Sequence, residues 1–188
     1  AQVFARQDRP SEIIRLLNQF RAERDLGALT VDSGLMAAAQ SHVEWMAANR
    51  SYSHTGAGGT TPQQLATANG YWGFVYENVV GGSTLSPTEA ITWWANSSVH
   101  YITMTLKKGT HVGVGYADNG HQQLYVLVVG YPSEFAPRPA GAEAPPEGAS
   151  GEDSGTGENA EEDPEDIVPP QIIVPVVRNE PREDGSVW

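Results

Sequence analysis

Three residues in separate segments of the chain could carry chemistry together: His54 in SYSHTG, Glu77 in ENVVGG and His100 in SSVHYITM. Neutral imidazole and carboxylate groups both donate lone pairs to a divalent metal and leave coordination positions for water. The set therefore predicts a divalent metal site. The same residue types also allow a structural interpretation, in which His54 lies in a loop, Glu77 caps a backbone amide and His100 ends a helix, where the dipole favours a cation.

Other polar and aromatic residues near these positions are interpreted as support for the site. Asn78 is expected to turn its amide toward loop backbone. Trp94 is expected to line the wall of a cleft, with Trp93 in the core. Ser97 precedes the second histidine of the set, but nothing around it resembles a nucleophile elbow, which favours a polar role at a helix end.

The remaining three histidines of the chain are interpreted as lying outside the site. His42 falls within a helical pattern, where it is expected to be exposed or to have a structural partner of its own. His111 begins a predicted strand and His121 follows a predicted turn, and both are expected to be solvated.

The 188 residues include no cysteine, which excludes disulfide frameworks, thiolate zinc sites and thiol nucleophiles. Residues 1–138 carry nine Lys and Arg against ten Asp and Glu, a net charge of −1, whereas residues 139–188 carry two against thirteen, a net of −11. The first part offers no basic face for phosphates, so we expect no nucleic-acid partner. No apolar run approaches the roughly 20 residues needed to span a bilayer, so no transmembrane segment is predicted.

The spacing of apolar residues predicts an α+β domain. One helix is expected from Ser11 to a stop at Gly27, a second from Asp32 to Asn49, and a short one over 62–68. The segment SPTEAITWWAN begins with a capping box and a proline at the first helical position, so a further helix is expected from Ser86 to about Asn96. Between residues 111 and 129, alternating apolar residues flank a DNG turn and predict two antiparallel strands.

The chain is predicted to have three parts: an N-terminal extension over residues 1–10, a folded domain over 11–135 and an acidic tail over 136–188. The tail is rich in Pro, Gly and Glu and lacks the apolar residues needed to offset its ordering entropy, so we expect it to be disordered. One apolar stretch within it, IVPPQIIVPVV, has three prolines in eleven residues. It predicts neither a membrane helix nor an interior strand, and docking as an edge strand is the alternative to an unstructured terminus.

Five motifs occur in a familiar order and spacing: SHTG, GYWGFVYENVVGG, SPTEAITWWANSSVHYITMT, THVGVGYADNG and LYVLVVGY. Together with the helix before them they resemble the CAP superfamily, which comprises the cysteine-rich secretory, antigen-five and plant pathogenesis-related proteins. The resemblance covers about Ser11 to Tyr131. Because the chain has no cysteine, it is most similar to the bacterial branch with SCP-like domains.

The resemblance implies a three-layer α-β-α sandwich with a central antiparallel sheet and a cleft that can hold zinc or another divalent ion. His54 matches the first cleft histidine of the family, Glu77 the glutamate of its GEN motif, and His100 the histidine that follows its tryptophan-containing helix. Many members carry a further glutamate before the GEN motif, but no Asp or Glu occurs here between Thr55 and Tyr76. The resemblance also implies a location outside the cell or in the cell envelope.

The leading hypothesis is a secreted CAP-domain protein whose small His/Glu cleft binds a divalent metal and serves a binding or interaction role. Its partner is expected to be a small-molecule, lipid or protein ligand. The alternative is a metal-assisted, peptidase-like hydrolase that uses the same cleft, with Glu77 as its catalytic residue. The missing second glutamate counts against hydrolysis, and the sequence leaves both functions open.

Overall fold

The computed structural model describes residues 2–137, with side chains from residue 9 onward, so the predicted acidic tail lies outside the described residues except for its first two positions. The described helices and strands follow the order α1 Gln2–Ala22, β1 Thr30–Val31, α2 Ser33–Asn49, α3 Pro62–Ala68, β2 Gly73–Gly82, α4 Pro87–Ala95, α5 Ser98–Met104, β3 His111–Asp118 and β4 Gln123–Pro132. Within this part of the chain, each helix is too short or too polar to cross a lipid bilayer.

The strands form one sheet in the order β1-β3-β4-β2. β3 and β4 are antiparallel neighbours, and β4 also pairs antiparallel with β2 through ten residue pairs. β1 adds two residues parallel to β3. β2 therefore lies at one edge of the described sheet, with β4 on its inner side.

Side chains alternate between the two faces of the sheet and build a core on each. On one face, Val126 of β4 packs with Leu35 and Val43 of α2 and with Ala66 of α3. On the other face, residues of β4 pack with α1, α4 and α5, and the members of this second core cluster include Tyr125, Leu127, Ile13, Leu17, Ala90, Trp94 and Met104. The predicted three-layer α-β-α sandwich is confirmed.

Local hydrogen bonds fix the ends of several helices where the sequence predicted them. The hydroxyl of Ser86 accepts from the amide of Glu89, whose carboxylate accepts in return from the backbone of Ser86, so α4 begins with a complete capping box. The carboxylate of Asp32 accepts from the amide of Leu35 at the start of α2. The short third helix over 62–68 and the strand pair after residue 110 are also confirmed.

The first helix begins earlier than the sequence indicated. A start at Ser11 was expected, but α1 runs from Gln2 and includes Pro10. A tertiary contact accounts for this: the guanidinium of Arg9 donates to the carbonyl of Leu85, at 2.9 Å, and to the hydroxyl of Tyr125, at 2.7 Å. This anchor holds the residue before Pro10 against the sheet, so local helix-breaking signals do not decide where α1 starts.

α2 lies very close to β3. A Cβ atom at Gly115 would overlap the backbone carbonyl of Ala39, so a residue with a side chain at position 115 would push the helix away from the sheet. The close approach brings the next turn of α2, which contains His42, directly over the sheet.

A buried arginine fastens the other helical layer. Arg21, near the end of α1, is fully buried and donates to four backbone carbonyls, those of Gly27 at 2.8 Å, Met104 at 2.9 Å, Leu106 at 3.1 Å and Gly109 at 3.4 Å. Burial lowers the pKa of its guanidinium from the ordinary value. The end of α5 and the loop that leads to β3 are thereby tied to α1.

Candidate functional site

A buried carboxylate lies between two histidine rings. Nδ1–H of His42 donates to Oε2 of Glu77 over 2.8 Å, and Nδ1–H of His54 donates to Oε1 over 2.9 Å. The side chain of Glu77 is 1% exposed, that of His42 is fully buried and that of His54 is 18% exposed. We call this group the His–Glu–His chain, and it runs from the interior beneath α2 to the surface.

Strand β2 and helix α2 bring the inner part of the chain together. Glu77 pairs with Val128 of β4, and Val79, two residues later on the same face, packs in the core on the α2 side. The alternation of β2 therefore turns Glu77 toward α2. His42 meets it there because position 42 lies on the buried stripe of α2, between Leu35 and Met46.

The segment after α2 supplies the outer histidine. Arg50, in a left-handed conformation with φ of 49°, ends the helix and turns the chain back. Tyr52 then packs against β2 at Gly81, where a Cβ atom would overlap the tyrosine hydroxyl. The missing side chain at position 81 lets this segment approach the strand, which places His54 beside the carboxylate.

His100 lies in α5, on the other side of β2. The amide of Asn78 donates to its backbone carbonyl over 2.8 Å, and its Nδ1 and the hydroxyl of Ser97 share a hydrogen bond of 2.7 Å. The ring of Trp93 contacts the imidazole edge-to-face, with centroids 4.8 Å apart. Burial, followed by the proximity of His54, lowers the pKa of His100 to about 4, so this imidazole is neutral at neutral pH.

The two tryptophans of α4 have the reverse of their predicted positions. Trp94 was expected in the cleft wall, but it is fully buried in the core, where its indole N–H donates to the carbonyl of Val79 over 3.3 Å. Trp93 was expected in the core, but it is 41% exposed and borders the second histidine. The buried stripe of α4, which contains Ala90 and Ile91, passes through position 94 and not through 93.

His42 is the residue of the site that the sequence interpretation missed. It was expected to be exposed or to have a structural partner of its own outside the site, and its partner is the central carboxylate. A signal was present, because position 42 follows Leu35 by seven residues and precedes Met46 by four, which places it on the apolar stripe of the helix. His111, by contrast, lies away from the site and contacts the hydroxyl of Tyr71 over 3.2 Å.

The donor set fits a metal ion only in part. Both oxygens of Glu77 accept from imidazole N–H groups, so the carboxylate orients the rings and is not placed as a third ligand. Across residues 9–137, whose side chains the structure describes, no three His, Cys, Asp or Glu residues are arranged to hold a metal. The atoms whose chemistry fits a cation are the Nε2 atoms of His54 and His100, which make no hydrogen bond within the same range.

Residues 14–131 match the model of the family described as CAP, the cysteine-rich secretory protein family. The match covers more than half of the chain. The chain belongs to the CAP family. A comparison with curated protein sequences gives no significant match.

Solved structures of bacterial proteins share the CAP fold of this chain. An extracellular protein containing an SCP domain from Bacillus anthracis str. Ames matches with a TM-score of 0.62 at 21% identity, covering 67% of this chain and 41% of that one. An outer surface protein from Borrelia burgdorferi matches with a TM-score of 0.60 at 20% identity, covering 64% of this chain and 90% of that one. A cysteine-rich secretory protein from Staphylococcus aureus matches with a TM-score of 0.52 at 18% identity, over 66% of this chain and 39% of that one. This CAP domain thus corresponds to less than half of two of these proteins, and at such identities the likeness concerns the fold.

Proposed function

We propose that this CAP domain is a binding module that works outside the cell or in the cell envelope, and that its cleft binds a divalent cation through the Nε2 atoms of His54 and His100. The observation that carries the proposal is the contact between Nδ1–H of His54 and the buried carboxylate of Glu77. A ring that donates through Nδ1 keeps the lone pair of Nε2 for a ligand.

The carboxylate supports the cation site from behind. In metal sites the ligating histidine commonly donates its other N–H to a carboxylate, which fixes the ring and raises its basicity. Glu77 is in that position relative to His54. His100 is neutral at neutral pH because its pKa is lowered, so it needs to lose no proton before it binds a cation.

The ligand set favours a weakly held, exchangeable ion. Imidazole nitrogen suits zinc among the common divalent ions, but structural zinc sites use four protein ligands and catalytic ones use three. Two imidazoles leave two or more positions for water or for an oxygen of a bound partner. The cation would then connect the CAP domain to that partner, which is the binding role proposed here.

The descriptions of two similar structures support the location. One of the bacterial proteins is described as extracellular and another as an outer surface protein. The proposal extends that location to this chain on the basis of the shared CAP fold.

The geometry favours binding over the alternative of a metal-assisted hydrolase. In that alternative Glu77 serves as the general base, but both of its oxygens already accept hydrogen bonds from buried or partly buried rings. The nearest hydroxyl to the second histidine is that of Ser97, and it is hydrogen-bonded to the imidazole at the start of a helix. A base for hydrolysis would have to be His54 itself, which the binding proposal uses as a ligand.

Calorimetric titration with zinc at pH 7.5 tests the proposal on the full chain. We expect one zinc per chain for wild type, and loss of binding for His54→Ala and for His100→Ala. His121→Ala is the matched control, because this histidine lies in the β3–β4 turn, away from the cleft, and its removal should leave binding unchanged. Absence of zinc binding by wild type, or binding that survives both cleft substitutions, would refute the cation site. Zinc-dependent cleavage of an unstructured protein such as casein, abolished by His54→Ala, would favour the hydrolase instead.

A further inference from the structure

His42 is a buried histidine with one ring nitrogen that lacks a hydrogen-bond partner within residues 9–137. Its side chain is fully buried at a core position of α2, where the neighbouring members of the stripe are apolar. Its Nε2 atom has no hydrogen-bond partner among the described residues. A buried polar atom without a partner is unfavourable, and an apolar side chain would fill the position without that cost. The contact that offsets the cost is the one between Nδ1–H and Glu77.

That contact changes what Glu77 can do. A carboxylate held only by His54 could rotate about its side-chain torsions and accept from other donors. With Oε2 fixed by His42, Oε1 is left facing His54, and it accepts from that ring at 2.9 Å. Since a carboxylate offers only lone pairs, the atom of His54 that faces it must carry the proton. The inner histidine thereby acts on the outer one across the carboxylate.

We infer that His42 is a positioning residue of the cleft: acting through Glu77, it holds His54 in the tautomer protonated on Nδ1 and leaves the Nε2 lone pair for a ligand. The effect of His42 on cation affinity rests on the proposed function. The effect on the tautomer of His54 does not, because it belongs to the metal-free protein.

Two amide substitutions separate a positioned donor from polarity in general. The side-chain amide of asparagine overlies the Nδ1 position of histidine, so His42→Asn can still donate to Oε2 of Glu77. The amide of glutamine overlies the Nε2 position, so His42→Gln has a similar polarity but places its donor away from the carboxylate. If His42 only filled space in the core, the two substitutions would not differ in their effect on His54.

The readout is the tautomer of each histidine, measured by long-range proton–nitrogen correlation NMR on the full ¹⁵N-labelled chain with chelator present. We expect His54 to carry its proton on Nδ1 in wild type and in His42→Asn, and to populate the Nε2–H form in His42→Gln. Zinc titration of the same proteins should give an affinity close to wild type for the Asn variant and about ten- to a hundredfold weaker binding for the Gln variant. His121→Asn serves as the control for the loss of a histidine elsewhere.

The inference is overturned if His54 carries its proton on Nε2 in wild type, or if the two amide variants have the same tautomer and the same affinity. Should His42→Gln fail to fold, wild type and His42→Asn still decide, because an Asn variant that folds but loses the Nδ1–H form contradicts the inference. Zinc that does not bind to wild type refutes the proposed function, and the tautomers of the metal-free protein then test the role of His42 separately.

Discussion

Two charged side chains are buried in this CAP domain, those of Arg21 and Glu77, and different kinds of hydrogen-bond partner stabilise them. Arg21 donates to four backbone carbonyls. Glu77 accepts from two imidazole rings, one fully buried and one partly exposed. The partners of the arginine are backbone atoms, whereas the partners of the glutamate are side chains, which can change rotamer.

These different partners give the two buried charges different roles: Arg21 has a structural one, and Glu77 belongs to the candidate site. Backbone carbonyls hold Arg21 in one arrangement, which fastens α1 to the end of α5 and gives the charge no route to a ligand. Of the two imidazoles that hold Glu77, that of His54 is partly exposed, so the charge of the carboxylate can act on the ligand that the proposed function places there. A buried charge indicates function here only where its partners reach the surface.

The largest effect is expected from Arg21→Met, which fills the space but leaves the four carbonyls without their donor. Two of these four hydrogen bonds, those to the carbonyls of Met104 and Gly109, are buried. At about 1–3 kcal/mol for each of these two acceptors, we expect the free energy of unfolding to fall by about 4 kcal/mol. Urea unfolding measures this directly. Arg15→Met is the control, because Arg15 is exposed and its removal should leave stability unchanged within error. Equal effects of the two substitutions would contradict the structural role of Arg21.

Glu77→Gln should have the second largest effect. The substitution replaces one carboxylate oxygen with an NH2 group. This group is a donor, and it faces an imidazole N–H that is also a donor, so one hydrogen bond is lost. We expect a loss of about 2 kcal/mol in the free energy of unfolding, typical of a hydrogen bond to a charged group. Glu44→Gln, on the exposed side of α2, is the matched control. Glu77→Gln should also weaken zinc binding, whereas Arg21→Met, studied below its melting temperature, should not, because only Glu77 contacts His54.

Acid should destabilise the metal-free protein in part through His100. Its pKa is about 4 in the folded protein against an ordinary value of 6.5, so the unfolded chain binds more protons between these values. Stability that is present above pH 6.5 is therefore lost as the pH falls through 4. The ring is partly exposed, so we discount the full shift and expect about 1 kcal/mol. Urea unfolding at pH 7 and pH 4.5 should show a smaller loss for His100→Gln than for wild type; the same loss in both would be contrary to expectation.

The smallest effect is expected from removing residues 139–188. The sequence predicts that this segment is disordered, and the interaction of its net charge of −11 with the domain would then be screened over about 8 Å at physiological salt. We expect the melting temperature of a chain ending at Arg138 to lie within a few degrees of that of the full chain. A larger decrease, equivalent to more than about 1 kcal/mol, would mean that part of this segment packs on the domain.

The features that the sequence predicted are those that depend on nearby residues. The capping box of Ser86 and Glu89 joins residues three apart, so its chemistry is visible in a short window. The start of α2 was predicted at Asp32, which the structure shows to be the cap of that helix. The hairpin of β3 and β4 is similarly local. α4 ends at Ala95, close to the predicted end at about Asn96, but the short helix α5 that follows was not predicted, and His100 lies within it.

The features that the sequence did not predict depend on residues far apart in the chain. His42 and Glu77 are 35 residues apart, and Arg21 reaches a carbonyl 83 residues away. Asn78 was expected to bind loop backbone, but its acceptor is the carbonyl of His100 in a helix. No local pattern specifies such pairs, since the sheet and the close packing of α2 decide which segments meet.

Glu77 and Asn78 are consecutive residues with opposite tasks, since one faces α2 and the other binds α5. Which face each side chain takes is set by the pairing of β2 with β4, in which Glu77 lies opposite Val128 and Asn78 opposite Leu127. A slip of one residue in that pairing would exchange the two faces. The carboxylate would leave both histidines, and the strand's apolar side chains would change sides with it. Correct alignment of β2 is therefore a condition for forming the His–Glu–His chain, and a misaligned molecule would lack the proposed cation site altogether.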